Sequence, residues 1–342
     1  MTVIHQIDSI SITILMDNST DFLLTNSSHA IRQQLIKDEK FVLPPPVAEH
    51  GFSALIQISE FDQSSSENNS NKKFLFDTGV SENGVLHNAD VFGINIDKID
   101  GIILSHGHFD HFAGLFNIIK RISSSSFSSK LSNTNYVNIF AHPDAFLRRW
   151  EVMPDGKRAK CPILDELRIQ ESGAQIHKAT GITILPSKES PLLLITGEIP
   201  RETSFEKGYP FQYVEKEDDG NNEKNLVPDP TVKDDQSIVA SIRNKGLVIL
   251  TGCGHAGIIN TINYAKRITG VDKVYAVIGG FHLPADGGIY EAAIEPTLYQ
   301  LQKADPKYVV PCHCTGLKAT NKIIEAMPEK FIQSAVGTTF QF

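Results

Sequence analysis

The 342-residue chain is 41% hydrophobic and 21% charged, with a formal net charge of −8 and a pI of about 5.8. That acidic balance excludes nucleic acid as the main partner, because phosphate binding needs a basic face. No apolar run reaches the ~18 residues that a membrane helix requires. The N-terminus has no basic start and carries Asp8 within its apolar stretch, unlike a signal peptide. Four cysteines with no CxxC pair imply a reducing, cytoplasmic setting without a disulfide framework.

Residues 9–14 (SISITI) alternate polar and apolar side chains, the period of a half-buried strand. Residues 51–60 and 73–76 bracket the polar tract QSSSENNSNK, which reads as a hairpin loop. A short apolar strand at 100–105 runs into SHGHFDH, followed by a helix over 112–121 and a serine-rich surface loop over 123–129. Residues 137–142 form a further strand. The stretch 143–235 is the least regular, with strands near ITILPS and PLLLITGEIP and the acidic tract KEDDGNNEKN towards its end. Such irregularity suits a lid or substrate loop. Beyond it, strands at 237–242 and 247–251 form a hairpin turning at Asn244. A helix over 257–268, a strand at 274–278, a helix over 290–303, a strand at 308–310 and a helix over 321–327 complete the chain. Antiparallel strands in front and strand–helix units behind predict two sheets enclosed by helices, in one domain over 1–342 with an irregular lid or substrate insertion around 143–235.

The strongest chemical signal is His106-Gly107-His108-Phe109-Asp110-His111. Three imidazoles and a carboxylate crowded this closely repel one another when protonated, and a divalent cation removes that conflict. Gly107 lets the backbone turn so that His106 and His108 converge. The donor types suit Zn²⁺, with Fe²⁺ or Mn²⁺ as alternatives.

HxHxDH after a strand resembles the metallo-β-lactamase superfamily, whose fold is an α/β (α+β) αββα sandwich with its site at the sheet edge. FLFDTG, ending at Gly79, is similar to that superfamily's first motif, which implies that Asp77 buttresses the metal ligands. LITGEIPR, LTGCGHAGIINT and IGGFHL further resemble the dihydropterin-type branch. VVPCHCTG is similar to the segment carrying the last metal histidine, here His313. Most members end the preceding strand in T-G-D; this chain has T-G-C-G-H, with Cys253 in the Asp slot. The replacement ligand is then His255, with Cys253 as competitor or as a small residue packed under the loop. Cys312 and Cys314 point away from a metal facing His313 if the segment is extended, since neighbours on a strand alternate faces.

The resemblance implies a metal set of His106, His108, Asp110, His111, His255 and His313 holding one or two divalent ions. The expected enzyme is a hydrolase that uses a metal-activated hydroxide on a small, anionic or heteroaromatic substrate. Asp110 orients the hydroxide, and His282, outside the ligand set, protonates the leaving group. Arg201 offers a bidentate contact to a carboxylate or phosphate, or else an ion pair with Glu198 or Glu202, and the Trp150 region forms a wall. The alternatives are a dihydropterin-type ribofuranosyl-aminobenzene phosphate synthase and a metal-binding scaffold without turnover. The partner is a small molecule, with no nucleic acid and no membrane; the oligomeric state is unassigned.

Overall fold

A computed structural model describes residues 4–34, 36–59, 72–128, 136–186, 191–216, 225–284 and 288–342. Two large mixed sheets stack face to face. The first runs Ala174–Lys178, Val137–Ala141, Gly101–Ile103, Lys72–Phe76, Ser53–Ser59, Ser9–Met16, Thr339–Gln341 and Ala30–Ile31. The second runs Thr183–Pro186, Pro191–Ile195, Ile238–Ile242, Gly246–Leu250, Val274–Gly279 and Tyr308–Pro311, with Gln6–Ile7 added beside Ile238–Ile242.

Period-two alternation explains the layering. Ile10, Ile12, Ala54, Ile56, Phe74 and Phe76 face Leu193, Ile195, Ala240, Val248, Ala276 and Ile278 in one core between the sheets. The intervening residues Leu55, Leu75 and Ile102 face outward onto the helices Gly84–Val91 and Leu115–Ser128. On the other side Leu194, Val239, Ile249 and Val277 meet the helices Ile258–Thr269, Gly288–Ala304 and Leu317–Ala326. Both faces of these strands are covered, so they read as near-continuous apolar runs. The result is the αββα sandwich expected from the sequence.

In the helix Ile258–Thr269 the apolar positions Ile258, Ile259, Ile262, Ala265 and Ile268 repeat at helical spacing, and Gly270 ends it at φ 71°. Ile262 is fully buried. Ile262→Ala is expected to cost ~2–5 kcal/mol through lost burial and a residual cavity, read as a lower midpoint in urea unfolding.

Several expectations need correction. The helix expected over 112–121 comes in two pieces, Phe109–Phe112, which begins inside HGHFDH, and Leu115–Ser128, which continues through most of the serine tract. Serine loses little in a helix, whereas a loop would leave main-chain groups for other partners. The helix Gly84–Val91 carries little amphipathic signal in the sequence and is absent from the expected elements. The stretch 143–235 is more ordered than its composition suggests. It supplies strands to both large sheets and builds a separate four-stranded antiparallel sheet of Arg158–Lys160, Arg149–Val152, Gln212–Lys216 and Asn225–Pro228. Except for their edges, QSSSENNSNK and KEDDGNNEKN lie outside the described residues. No described helix is long and apolar enough to cross a membrane.

Candidate metal centre

Lys72–Phe76, Gly101–Ile103 and Val137–Ala141 run parallel in the first sheet, as do Gly246–Leu250, Val274–Gly279 and Tyr308–Pro311 in the second. Asp77, the segment 105–111, the segment 251–255, His282 and His313 all follow the carboxyl ends of these strands. Open α/β sheets carry their ligands at that edge. The two sets meet: ring centroids are 4.8 Å apart for His106 and His255, 4.8 Å for His108 and His255, and 5.0 Å for His111 and His313.

Asp77 organises the first half. Its fully buried carboxylate accepts from the Ser105 amide, from Ser105 Oγ and from His111 Nδ1, each at 2.7 Å. Because the Ser105 hydroxyl proton goes to Asp77, Ser105 Oγ accepts from His106 Nδ1 at 2.9 Å. His106 is thereby held with Nε2 carrying the free lone pair, and His111 with Nε2 turned away from Asp77. His106 Nε2 is buried without a hydrogen-bond partner. His108 is set the other way round. Gln212 donates its amide to the Asp229 carboxylate at 2.8 Å, so its Oε1 accepts from His108 Nε2 and leaves Nδ1 unprotonated.

The second sheet brings its own donors. His108 Nδ1 faces His255 Nε2 at 3.1 Å. Asp110 Oδ2 lies 3.6 Å from His111 Nε2 and 3.4 Å from His313 Nε2. Among the described residues, three groups have donor atoms within 4.8 Å of one another: Asp110, His111, Cys253 and His313; His106, Cys253 and His255; and Cys253, His282 and Cys314. Burial, with the neighbouring imidazoles, pushes His106 and His255 well below the ordinary histidine range. Burial and the Arg149 charge bring His108 down to about 4. His111 is the exception: burial opposes its charge, but Asp110 and Asp77 raise it to about 9. Burial alone would raise Asp110, yet His111 and His313 hold it below the carboxylate range. Three neutral imidazoles, an ionised carboxylate and an orphaned buried nitrogen suit a divalent cation, which would take the place of the proton on His111, so the residues present fit such an ion.

Three site residues other than glycine take left-handed backbone angles: Asp77 at φ 58°, His282 at 44° and His313 at 50°. Each costs ~1–3 kcal/mol and persists only where surrounding contacts enforce it. For His313 the enforcer is Asp17, whose buried carboxylate accepts from the His313 amide at 3.0 Å and from Ser334 Oγ at 2.8 Å. Gly107 takes no left-handed angle. A Cβ there would lie 2.1 Å from the Ala145 carbonyl oxygen and 2.3 Å from the Arg149 guanidinium, so close approach requires the glycine. Gly252 is similar, because a Cβ would fall 2.2 Å from Ser105 Oγ.

Sequence reasoning passed over the residues that clamp the HGHFDH turn. Asp234 accepts from the Gly107 amide at 2.7 Å and pairs with Arg149 at 2.5 Å, with both side chains buried. Asp235 accepts from the Ala256 amide at 2.7 Å and leaves its other oxygen buried without a partner; burial lifts it to about 6. The doubled carboxylate of KDDQS, directly before an apolar strand, was the available signal. Arg149 and Gln212 belong to the four-stranded sheet, so the stretch expected as a lid also supports the donors.

Other assignments come out differently. The Arg201 guanidinium donates to the carbonyls of Ile199 at 2.7 Å, Val232 at 3.0 Å and Thr231, braces the loop, and pairs with neither Glu198 nor Glu202. Trp150 lies in the four-stranded sheet opposite Tyr213, and its Nε1 donates to Glu215. Neither lines the cleft beside the site, whose walls include Glu206, His255, Phe281, His282 and Tyr290, with Lys207 at the rim. The His282 ring lies 4.0 Å from the His255 ring, tilted by 53°, and meets the Tyr290 hydroxyl at 3.2 Å. Cys312 lies in the core between the sheets. Cys314 does not alternate away, because residues 313–315 form a 3₁₀ turn; its thiol donates to the Cys253 carbonyl at 3.0 Å. Cys253 is not tucked beneath its loop. Its Sγ lies 3.2 Å from His111 Nε2 and 3.3 Å from His313 Nε2.

Comparison with known proteins matches residues 67–162 to the metallo-beta-lactamase superfamily. The chain is 34% identical over 301 residues to the 7,8-dihydropterin-6-methyl-4-(beta-D-ribofuranosyl)-aminobenzene-5'-phosphate synthase of Methanocaldococcus jannaschii, spanning 86% of this chain and 90% of that protein. It is 32% identical over 292 residues to the uncharacterized protein MJ0448 of the same organism, spanning 85% and 92%. Among solved structures it is similar to Tm1679, a metal-dependent hydrolase of the beta-lactamase superfamily, at TM-score 0.64 and 22% identity over 97% of this chain and 98% of the other.

Proposed function

Since the chain belongs to the metallo-β-lactamase superfamily, in the branch of its dihydropterin-type relative, we propose that it is a metal-dependent hydrolase of small substrates. The observation that carries this reading is the cluster of overlapping, largely buried donor groups at the shared sheet edge. His106, His108 and His255 would hold one divalent ion, and Asp110, His111 and His313 a second, with Zn²⁺ the best match to these donors. Ions bound there would lower the pKa of water towards neutrality and polarise a substrate oxygen.

The chain's own groups do the rest. The Asp110 carboxylate, ionised beside His111 and His313, is an acceptor able to orient an attacking water. His282 lines the cleft beside His255, with Nε2 on the Tyr290 hydroxyl and Nδ1 buried. It is the proton donor for a leaving group. Lys207 at the rim and the aromatic rings of Tyr209, Phe281 and Tyr290 suit a small anion carrying a ring. With Arg201 committed to carbonyls, Lys207 takes over the anion contact in this reading. The compartment proposed is the cytoplasm.

The 34% identity to a protein named as a synthase favours a second reading, a transferase that joins two substrates at the same centre. Turnover in ¹⁸O-labelled water separates the two. A hydrolase consumes one substrate and carries the label into product. Label-free product formed only when a second substrate is present would overturn the first reading in favour of the second.

A further inference from the structure

We infer that Cys253 is a bridging thiolate, shared by two divalent ions of the zinc class at this centre. The inference rests on the reading that the site holds metal. Among the described residues Cys253 is common to all three donor groups, joining Asp110, His111 and His313 in one, His106 and His255 in another, and His282 and Cys314 in the third. Its Sγ faces two imidazole nitrogens at 3.2 and 3.3 Å, from helix Phe109–Phe112 of one half and the turn after Tyr308–Pro311 of the other.

A packing role accounts poorly for this placement. Cys312, a packing cysteine, belongs to the hydrophobic core between the sheets, whereas Cys253 belongs to none of the three apolar clusters although it is 4% exposed. Imidazole nitrogens, the Asp110 carboxylate and the Cys314 sulfur surround its sulfur.

The backbone holds it there. The Cys253 carbonyl accepts from the Cys314 thiol, Gly252 lies against Ser105 too closely for any side chain, and Thr251 Oγ1 donates to the Gly280 carbonyl at 2.8 Å. With the main chain fixed on one side, the side chain projects into the donor cluster. As sulfur bonds to metal its proton leaves to solvent, so the thiolate carries the single negative charge that a carboxylate would carry in the same slot. Sulfur is softer than carboxylate oxygen. The centre is therefore biased towards Zn²⁺, Co²⁺ and Cd²⁺ and away from Mn²⁺ and Mg²⁺.

Titration of the metal-free full chain with Cd²⁺, followed by ultraviolet thiolate-to-cadmium absorption and by bound metal after gel filtration, tests this. Wild type is expected to take two ions, with the band changing over both equivalents. Cys253→Ser should lose the band and hold the second ion at least about tenfold more weakly. Cys253→Asp should recover the second ion without the band, and Cys312→Ser and Cys314→Ser should keep both. Two bound ions without a band, or a band that survives in Cys253→Ser, would overturn the bridge. A band accompanied by only one bound ion would also overturn it, leaving Cys253 a terminal ligand. Wild type that binds no cadmium overturns the metal reading itself, a failure visible in the metal content rather than the spectrum.

Discussion

Replacing His106 or His108 by alanine is expected to strip the centre of tightly held metal and abolish turnover. His106 contributes a buried Nε2 with no partner in the protein, held in position by Ser105 and through it by Asp77. His108 contributes Nδ1, because Gln212 takes the proton-bearing Nε2. Each variant removes one nitrogen donor from the cluster. Loss of even part of the several kcal/mol that a metal supplies to the transition state corresponds to a rate drop of at least about 10²–10³-fold. Metal per chain after dialysis is the primary measurement, with far-ultraviolet circular dichroism to show that the fold persists. Unchanged stoichiometry in both variants would remove these histidines from the ligand set.

Asp234→Ala is expected to be the most destabilising single change near the site. Arg149 and Asp234 have side chains 2% and 0% exposed, so removing the carboxylate leaves a buried guanidinium without its counter-charge. It also leaves the Gly107 amide without an acceptor. Breaking a buried pair by deleting one partner costs ~3–5 kcal/mol. Asp234→Asn, which keeps an acceptor for Gly107, should lose less stability. Arg149→Met combined with Asp234→Ala should recover part of the loss, because the stranded charge is then gone. Urea unfolding of all four proteins gives the comparison, and a wild-type midpoint in Asp234→Ala would show that the pair contributes nothing. Metal affinity should fall together with stability, by ~10–100-fold, since the pair fixes the turn between two of the donors.

What the sequence determined by itself is whatever depends on near neighbours. HGHFDH needs only a strand end and a turn to gather its donors, and its residue types alone point to a cation. The apolar runs and the helical spacing of Ile258, Ile259, Ile262 and Ala265 mark elements that any compact fold must bury on both sides. The layered sandwich followed from these patterns, and the resemblance of DTG and HxHxDH to a known superfamily added the position of the site.

Tertiary structure decided the remainder, because the interactions concerned join residues far apart in the chain and leave no periodicity behind. Arg149 meets Asp234 across 85 positions and His108 meets Gln212 across 104. Arg201 resembled a free anion fork until its loop folded back to offer three carbonyls. Local alternation failed at Cys314 for a related reason. The His313 amide is held by Asp17, 296 residues earlier, and that contact supports the left-handed turn that swings Cys314 onto Cys253. The direction of the Cys253 sulfur depends in turn on that thiol and on the Gly252 approach to Ser105 in the opposite sheet. Such contacts form only when the two sheets pack, and a buried polar group accepts whichever partner the packing brings to it.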